Sequence, residues 1–160
     1  MVMSIYGSSI DVHAGGADLA FPHHAYEAAQ AEAVTGVAPF ARSWMHVGTV
    51  RIGGEKMAKS TGNLVLVEDL LADHRAAALR LLICDRPWAQ DWDYSAESLQ
   101  AAEGRLDALY SAAGRRGDDA HETEVMRALL DDLDVPRAMS IAIESGGGSA
   151  RTLMHVLGLG

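Results

Sequence analysis

The stretch GGEKMAKSTGN, Gly53 to Asn63, sets Lys56 and Lys59 three residues apart with Ser60 beside them, inside a loop bounded by glycines. Two ammonium groups on a glycine-hinged loop raise the question of which anion they hold, and mobile lysines are suited to charge that builds up during a reaction. A solvated surface loop is the competing reading of the same residues. Upstream, AGGADLAFPHH carries paired glycines, Gly15 and Gly16, that must turn sharply or come close to something. Asp18 follows them, where an aspartate also serves as an ordinary helix cap. In FPHHAYE, His23 and Glu27 stand four residues apart and so share one helix face, which without a metal is an i, i+4 surface contact.

The elements that must position these groups follow from the pattern. Ser4 to His13 alternates loosely and ends in SIDVH, which predicts a strand. Pro22 suits the first turn of a helix, and HHAYEAAQAEAVTG runs through good helix formers to a stop at Gly36. WMHVGTVRI is β-rich and predicts another strand. After the lysine loop, NLVLV leads into a short helix, RAAALRLLICD is helical, and Pro87 ends it. Ser95 caps a further helix from Ala96 to about Ala113, with a nearby glutamate completing the cap. GRRGDDAHE reads as a polar hinge, TEVMRALLDDL and VPRAMSIAIES as two helices, and ESGGGSA as flexible before a final turn or helix, RTLMHVLG. The expected organisation is an α/β piece over residues 1–93 followed by a helical piece over 94–160.

Composition bounds the function. The 160 residues, 49% hydrophobic, can bury a sizeable core. Thirteen basic against 22 acidic residues give a formal charge of −9, which argues against a protein devoted to neutralising a nucleic-acid backbone. The one cysteine, Cys84, sits in an apolar run and reads as a buried small hydrophobe. No apolar run reaches the length of a membrane span, roughly 20 residues. The start MVMSIYGSS lacks the features of a secretion signal. The expectation is a soluble, cytoplasmic protein with no membrane partner.

Three segments in order, DVHAGGADLAFPHHAYE, SWMHVGTVRIGGEKMAKSTGN and DWDYSAESLQAAEGRLDAL, together resemble the C-terminal catalytic half of a cysteinyl-tRNA synthetase. They resemble at least as closely the related mycothiol-pathway ligase that joins cysteine to an amino sugar. DVHAGG leans toward the synthetase, GNLVLV and DWDYS toward the mycothiol-type ligase, and the choice stays open. The resemblance runs from about Met3 to Leu109, with a weaker echo in MRALLDDLDVPRAM. It implies half of a doubly wound, Rossmann-like parallel sheet followed by a helical bundle. KMAKS, Lys56 to Ser60, then corresponds to the family's KMSKS signature, with Ala58 in place of a serine. By that resemblance Lys56 and Lys59 are catalytic, and Lys59 and Ser60 lie at the phosphates of ATP or of the aminoacyl adenylate. Gly15 and Gly16 lie at the nucleotide, Asp18 accepts from the ribose hydroxyls, and His46 is near the adenine. His23 and Glu27 match two of four zinc ligands that grip a cysteine thiolate, a soft ligand that outcompetes a hydroxyl.

The family's HIGH signature and its other two ligands, both cysteines, have no counterpart in these residues. Zinc would therefore need His13, His24 or Cys84 to be recruited by folding. A truncated paralog, a fragment and one part of a split enzyme are the open explanations. Half of a doubly wound sheet leaves an edge and an apolar face uncovered, so a protein partner or a homo-oligomer is expected to complete it. The function expected is a lobe of an ATP-dependent cysteine-activating ligase, inactive alone. The alternatives are a non-catalytic binding or regulatory paralog, or a recruited enzyme that transfers an activated amino acid to an amine acceptor. The short acidic tail leaves no room for an anticodon-reading domain, so tRNA is expected less than a small acceptor.

Overall fold

The computed structural model describes residues 2–117 and 121–160. Of the expected polar hinge GRRGDDAHE, residues 118–120 lie outside the described residues. The chain divides into two compact units, one of residues 1–51 with 89–92, the other of residues 52–88 with 93–160.

The first unit opens with a short helix, α1 (Val2–Tyr6), where a strand beginning at Ser4 is expected from the alternation. Gly7, at φ +88°, turns the chain, and the strand β1 starts at Ile10 and runs to Gly16. β2 (Ala41–Val47) pairs with it in parallel, Ile10 opposite Ala41 and Gly16 opposite Val47. Parallel strands need a crossover. Helix α2 (Ala25–Thr35) supplies it, ending at Gly36 in the left-handed conformation that suits a glycine stop. Regular helix begins three residues after Pro22. Phe21 is extended (φ −143°, ψ 137°), and Ala20–His24 forms a wider turn of π type before α2. Phe40, Ala31 and Ala41 are buried between α2 and the strands.

Among the described residues β1 is hydrogen-bonded to β2 on one side and to no strand on the other. Val12, Ile5 and Tyr6 are 59%, 67% and 70% exposed. The two-stranded, α-crossed unit is α/β as expected, with one edge open.

β3 (Val50–Ile52), β4 (Glu55–Lys56) and β5 (Trp92–Asp93) are short strands around the lysine loop. WMHVGTVRI thus holds two strands, broken at Gly48. A Cβ there would stand 2.0 Å from the Gln90 carbonyl oxygen. The backbones touch, and only glycine fits.

The second unit holds helices α3 (Val67–Asp73), α4 (Ala76–Cys84), α5 (Ala96–Gly114), α6 (Glu122–Leu130), α7 (Val135–Ser145) and α8 (Gly147–Leu157). Apolar residues at helical spacing on α4 to α8 form one core, in which Leu81, Leu106, Leu109, Val125, Met139 and Leu153 are fully buried. Truncating one of these leucines to alanine removes buried surface and leaves a cavity, at about 2–5 kcal/mol. α4 belongs to this core. Cys84 packs at its rim, and burial pushes its thiol pKa up against the pull of Arg80.

The cap of α5 is fuller than the expected one. Its box is a reciprocal pair of serines, Ser95 accepting from Ser98 N and Ser98 from Ser95 N, and the nearby Glu97 joins it through hydrogen bonds to its own N–H and to Ser95 that hold its pKa down. ESGGGSA is not flexible. Gly147, Gly148, Ser149 and Ala150 are buried in the first turn of α8, and Gly147 lies against Gly117, where a Cβ would stand 2.6 Å away. The glycines permit close packing, which outweighs their poor helix propensity.

Candidate functional site

In the first unit the parallel register decides what meets. His13 lies opposite Trp44 and Gly15 opposite His46, and the period of two puts all four on one face of the sheet. Gly15 has no side chain, and the imidazole of His24, delivered by the turn before α2, fills that space. A Cβ on Gly15 would stand 2.7 Å from His24 Cε1 and 3.0 Å from Nε2.

His24 is 4% exposed. Its Nδ1 lies 2.9 Å from Nε2 of His46, so one of the two rings donates and the other accepts as a neutral imidazole. Rings of His13, Trp44 and His46 stand around it at centroid distances of 4.6, 5.2 and 5.1 Å. It is these contacting neighbours, more than depth in a large core, that keep water away. Desolvation, then the charges of His13 and His46, lower the His24 pKa, against the opposing carboxylate of Glu27.

Glu27, on the first turn of α2, approaches the same cluster, its Oε2 3.1 Å from Nε2 of His13. One donor atom from each of His13, His24 and Glu27 lies within 4.8 Å of the others. Two imidazoles and a carboxylate are a donor set that zinc accepts. The cluster also provides what a metal-ligating histidine needs behind it. A His24 ring that donates from Nδ1 to His46 keeps its Nε2 lone pair free. The residues present therefore fit a divalent cation of zinc type.

The expected site residues fall as follows. Gly15, Gly16, Asp18, His23, Glu27 and His46 belong to the first unit, and Lys56, Lys59 and Ser60 to the second. Gly16 lies under Asp18, whose Oδ1 would be 2.5 Å from a Cβ there, so the carboxylate folds back on the glycine turn. His23 is exposed, and the histidines gathered with Glu27 are its neighbour His24 and the strand residue His13. Trp44 escapes sequence reasoning. Its ring lies nearly parallel to that of His46, 6.0 Å between centroids and 7° between planes. The alternation in WMHVG is the available signal, since it puts Trp44 and His46 on one face.

The lysine loop of the second unit has a defined backbone. Lys59–Thr61 form a single 3-10 turn closed by Gly62 at φ +67°, and Lys56, Lys59 and Ser60 are exposed. At its base the Asp93 carboxylate accepts from Gly54 N at 2.7 Å.

The family model described as the class I tRNA synthetase (C) catalytic domain matches residues 1–104. The chain belongs to that family. Curated relatives named cysteine–tRNA ligase include one from Parvibaculum lavamentivorans, 41% identical over 151 residues, covering 90% of this chain and 32% of the relative. Another, from Rhodospirillum rubrum, is 46% identical over 139 residues, covering 84% of the chain and 30% of the relative. One from Xanthomonas oryzae pv. oryzae is 41% identical over 169 residues, covering 98% and 35%. The chain thus spans about a third of the length of these relatives. Among solved structures, the LeuRS–tRNA–LeuAMS ternary complex of Agrobacterium radiobacter K84 matches with a TM-score of 0.59 over 93% of this chain and 26% of that one. At 17% identity the likeness is one of fold: this class I synthetase-family chain shares the α/β and helical architecture. No described helix is long and apolar enough to cross a membrane.

Proposed function

We propose that this synthetase-family chain is one lobe of an ATP-dependent, cysteine-activating ligase that works through an aminoacyl adenylate. The observation that carries the reading is the gathering of His13, His24 and Glu27 against Gly15, in a chain 41% identical to a cysteine–tRNA ligase. In this reading Gly15, Gly16 and Asp18 receive the nucleotide's ribose, and His46 lies toward the base. Lys59, with Ser60 and Lys56, neutralises the phosphates as the amino-acid carboxylate attacks the α-phosphate and pyrophosphate leaves. Glu27, His13 and His24 hold zinc, and His23 is the further imidazole suggested by its spacing from Glu27. A zinc ion held there would supply a soft Lewis acid that favours a thiolate over a hydroxyl, and so a means of separating cysteine from serine. The acceptor of the activated amino acid is a tRNA or a small amine.

The test is calorimetric titration of ATP into the purified chain, with Lys59→Ala as control. Binding by the wild type and loss of roughly tenfold or more in the variant is expected. An ATP titration without heat overturns the reading. Cysteine-dependent exchange of pyrophosphate into ATP, absent from the chain alone, is expected once a lobe supplying the HIGH segment is added. Elemental analysis of untagged protein reads out zinc.

The open edge of β1 favours an accompanying role for a protein partner or a second copy, which would extend the sheet by strand addition. In a second reading that association is the whole function, and the chain is a binding paralog. Specific capture of a partner together with no ATP binding would select it.

A further inference from the structure

The side chain of Asn63 stitches the lysine loop together. Its Oδ1 accepts from the backbone N–H of Ala58 at 3.0 Å, and its Nδ2 donates to the carbonyl of Lys56 at 3.3 Å. The amide therefore grips the backbone on both sides of Met57, between the two lysines. Thr61 adds to the clasp: its hydroxyl lies 2.6 Å from Asn63 Oδ1 and 2.8 Å from the carbonyl of Ala58. The single hydroxyl proton is shared between those two acceptors. Gly62, left-handed at φ +67°, doubles the chain back so that Asn63 faces the strand it left, a turn that glycine adopts without steric cost.

This arrangement is specific to the side chain. A neutral primary amide is a donor and an acceptor at one branch point, and the clasp uses both. Aspartate would keep the acceptor and lose the donor, and serine or alanine would not span the gap. The backbone that the clasp fixes is the one from which Lys56 and Lys59 project. A flexible loop with two lysines would lose conformational freedom on closing around an anion, and ordering it beforehand lowers that cost.

We propose that Asn63 is a positioning residue of the lysine loop, which curves the backbone between Lys56 and Lys59 ahead of binding so that a polyphosphate chain meets an ordered pair of cations. The inference rests on the reading of the loop as a phosphate site.

The experiment compares wild type, Asn63→Ala and Thr61→Val by calorimetry with sodium tripolyphosphate and by hydrogen exchange of the Ala58 amide in nuclear magnetic resonance. Asn63→Ala is expected to weaken tripolyphosphate binding roughly three- to tenfold and to speed Ala58 exchange, with the thermal midpoint of the helical unit unchanged. Thr61→Val, which keeps the amide, is expected to move both readouts the same way by less, and it carries the test should the alanine variant misfold. Unchanged affinity in Asn63→Ala overturns the positioning role and leaves the phosphate site intact. Weakened affinity with unchanged Ala58 exchange also overturns it, since the side chain would then act by touching the anion. No tripolyphosphate binding by the wild type overturns the phosphate reading itself, and the positioning role with it.

Discussion

Gly15 and His24 are in contact, the α-carbon of one against the imidazole edge of the other, with no room for a methyl group between them. The glycine turn and the histidine cluster are consequently one structure. Gly15→Ala should push His24 away from His46 and out of reach of His13 and Glu27. Expected are a loss of zinc affinity of about tenfold or more, in the range seen for changes just outside a metal's ligands, and destabilisation of about 1–3 kcal/mol. Competition titration with a chromophoric chelator checks the first, and urea unfolding of the metal-free protein the second. Retained affinity would mean that His24 is not a ligand.

Asp91 gives a prediction with a sign in pH. The backbone N–H of Thr49 at 2.7 Å and the Arg51 guanidinium, at 3.1 and 2.5 Å, hold its carboxyl below the usual carboxylate range. A depressed folded pKa means that this contribution is complete above the unfolded value of 3.8 and is lost as pH falls through the folded one. Wild type should exceed Asp91→Asn in urea midpoint at about pH 7, and the gap should narrow as pH is lowered below 3.8 and through the depressed folded pKa. A gap independent of pH would assign the effect to shape alone.

Ser149 is fully buried, and its hydroxyl has no hydrogen-bond partner among the described residues. Burying that hydroxyl without a partner costs free energy that alanine would not incur, and alanine is the better helix former. Ser149→Ala should leave stability unchanged or raise it by up to about 1 kcal/mol, read from denaturant unfolding followed by helical circular dichroism. A clear loss would reveal a water or ion on the hydroxyl.

Gly48→Ala should be severe, because the added carbon would meet the main chain at Gln90 and not a side chain that can turn aside. Destabilisation of more than about 2 kcal/mol is expected in thermal unfolding followed through Trp44 fluorescence. A variant as stable as wild type would show that the two backbones separate easily.

The helices of the second unit are legible in the sequence, since residues such as Leu99, Leu106 and Leu109 are buried and recur with a helical period that solvent exclusion enforces. The strand–helix–strand order is legible too, but not the start of β1, because five residues of loose alternation are equally consistent with the short helix Val2–Tyr6. The buried glycines of α8 look like a flexible link to local pattern. Propensity sees only the entropic cost of glycine, whereas the close approach to Gly117 is a tertiary fact. At the site, the spacing of His23 and Glu27 is visible in one dimension. That His13 and His24 join Glu27 depends on the register of β1 against β2 and on the turn at Ala20–His24, neither of which local pattern specifies.

The bare margin of β1 has a practical corollary for anyone handling the purified polypeptide. A seven-residue ribbon with no hydrogen-bonded strand along one side among the described residues, and a valine at Val12 open to water, is a template on which another extended peptide can build a ladder. Concentrated samples are expected to gel or precipitate through that rim before the helical unit melts. Val12→Lys is the single change that should keep them clear.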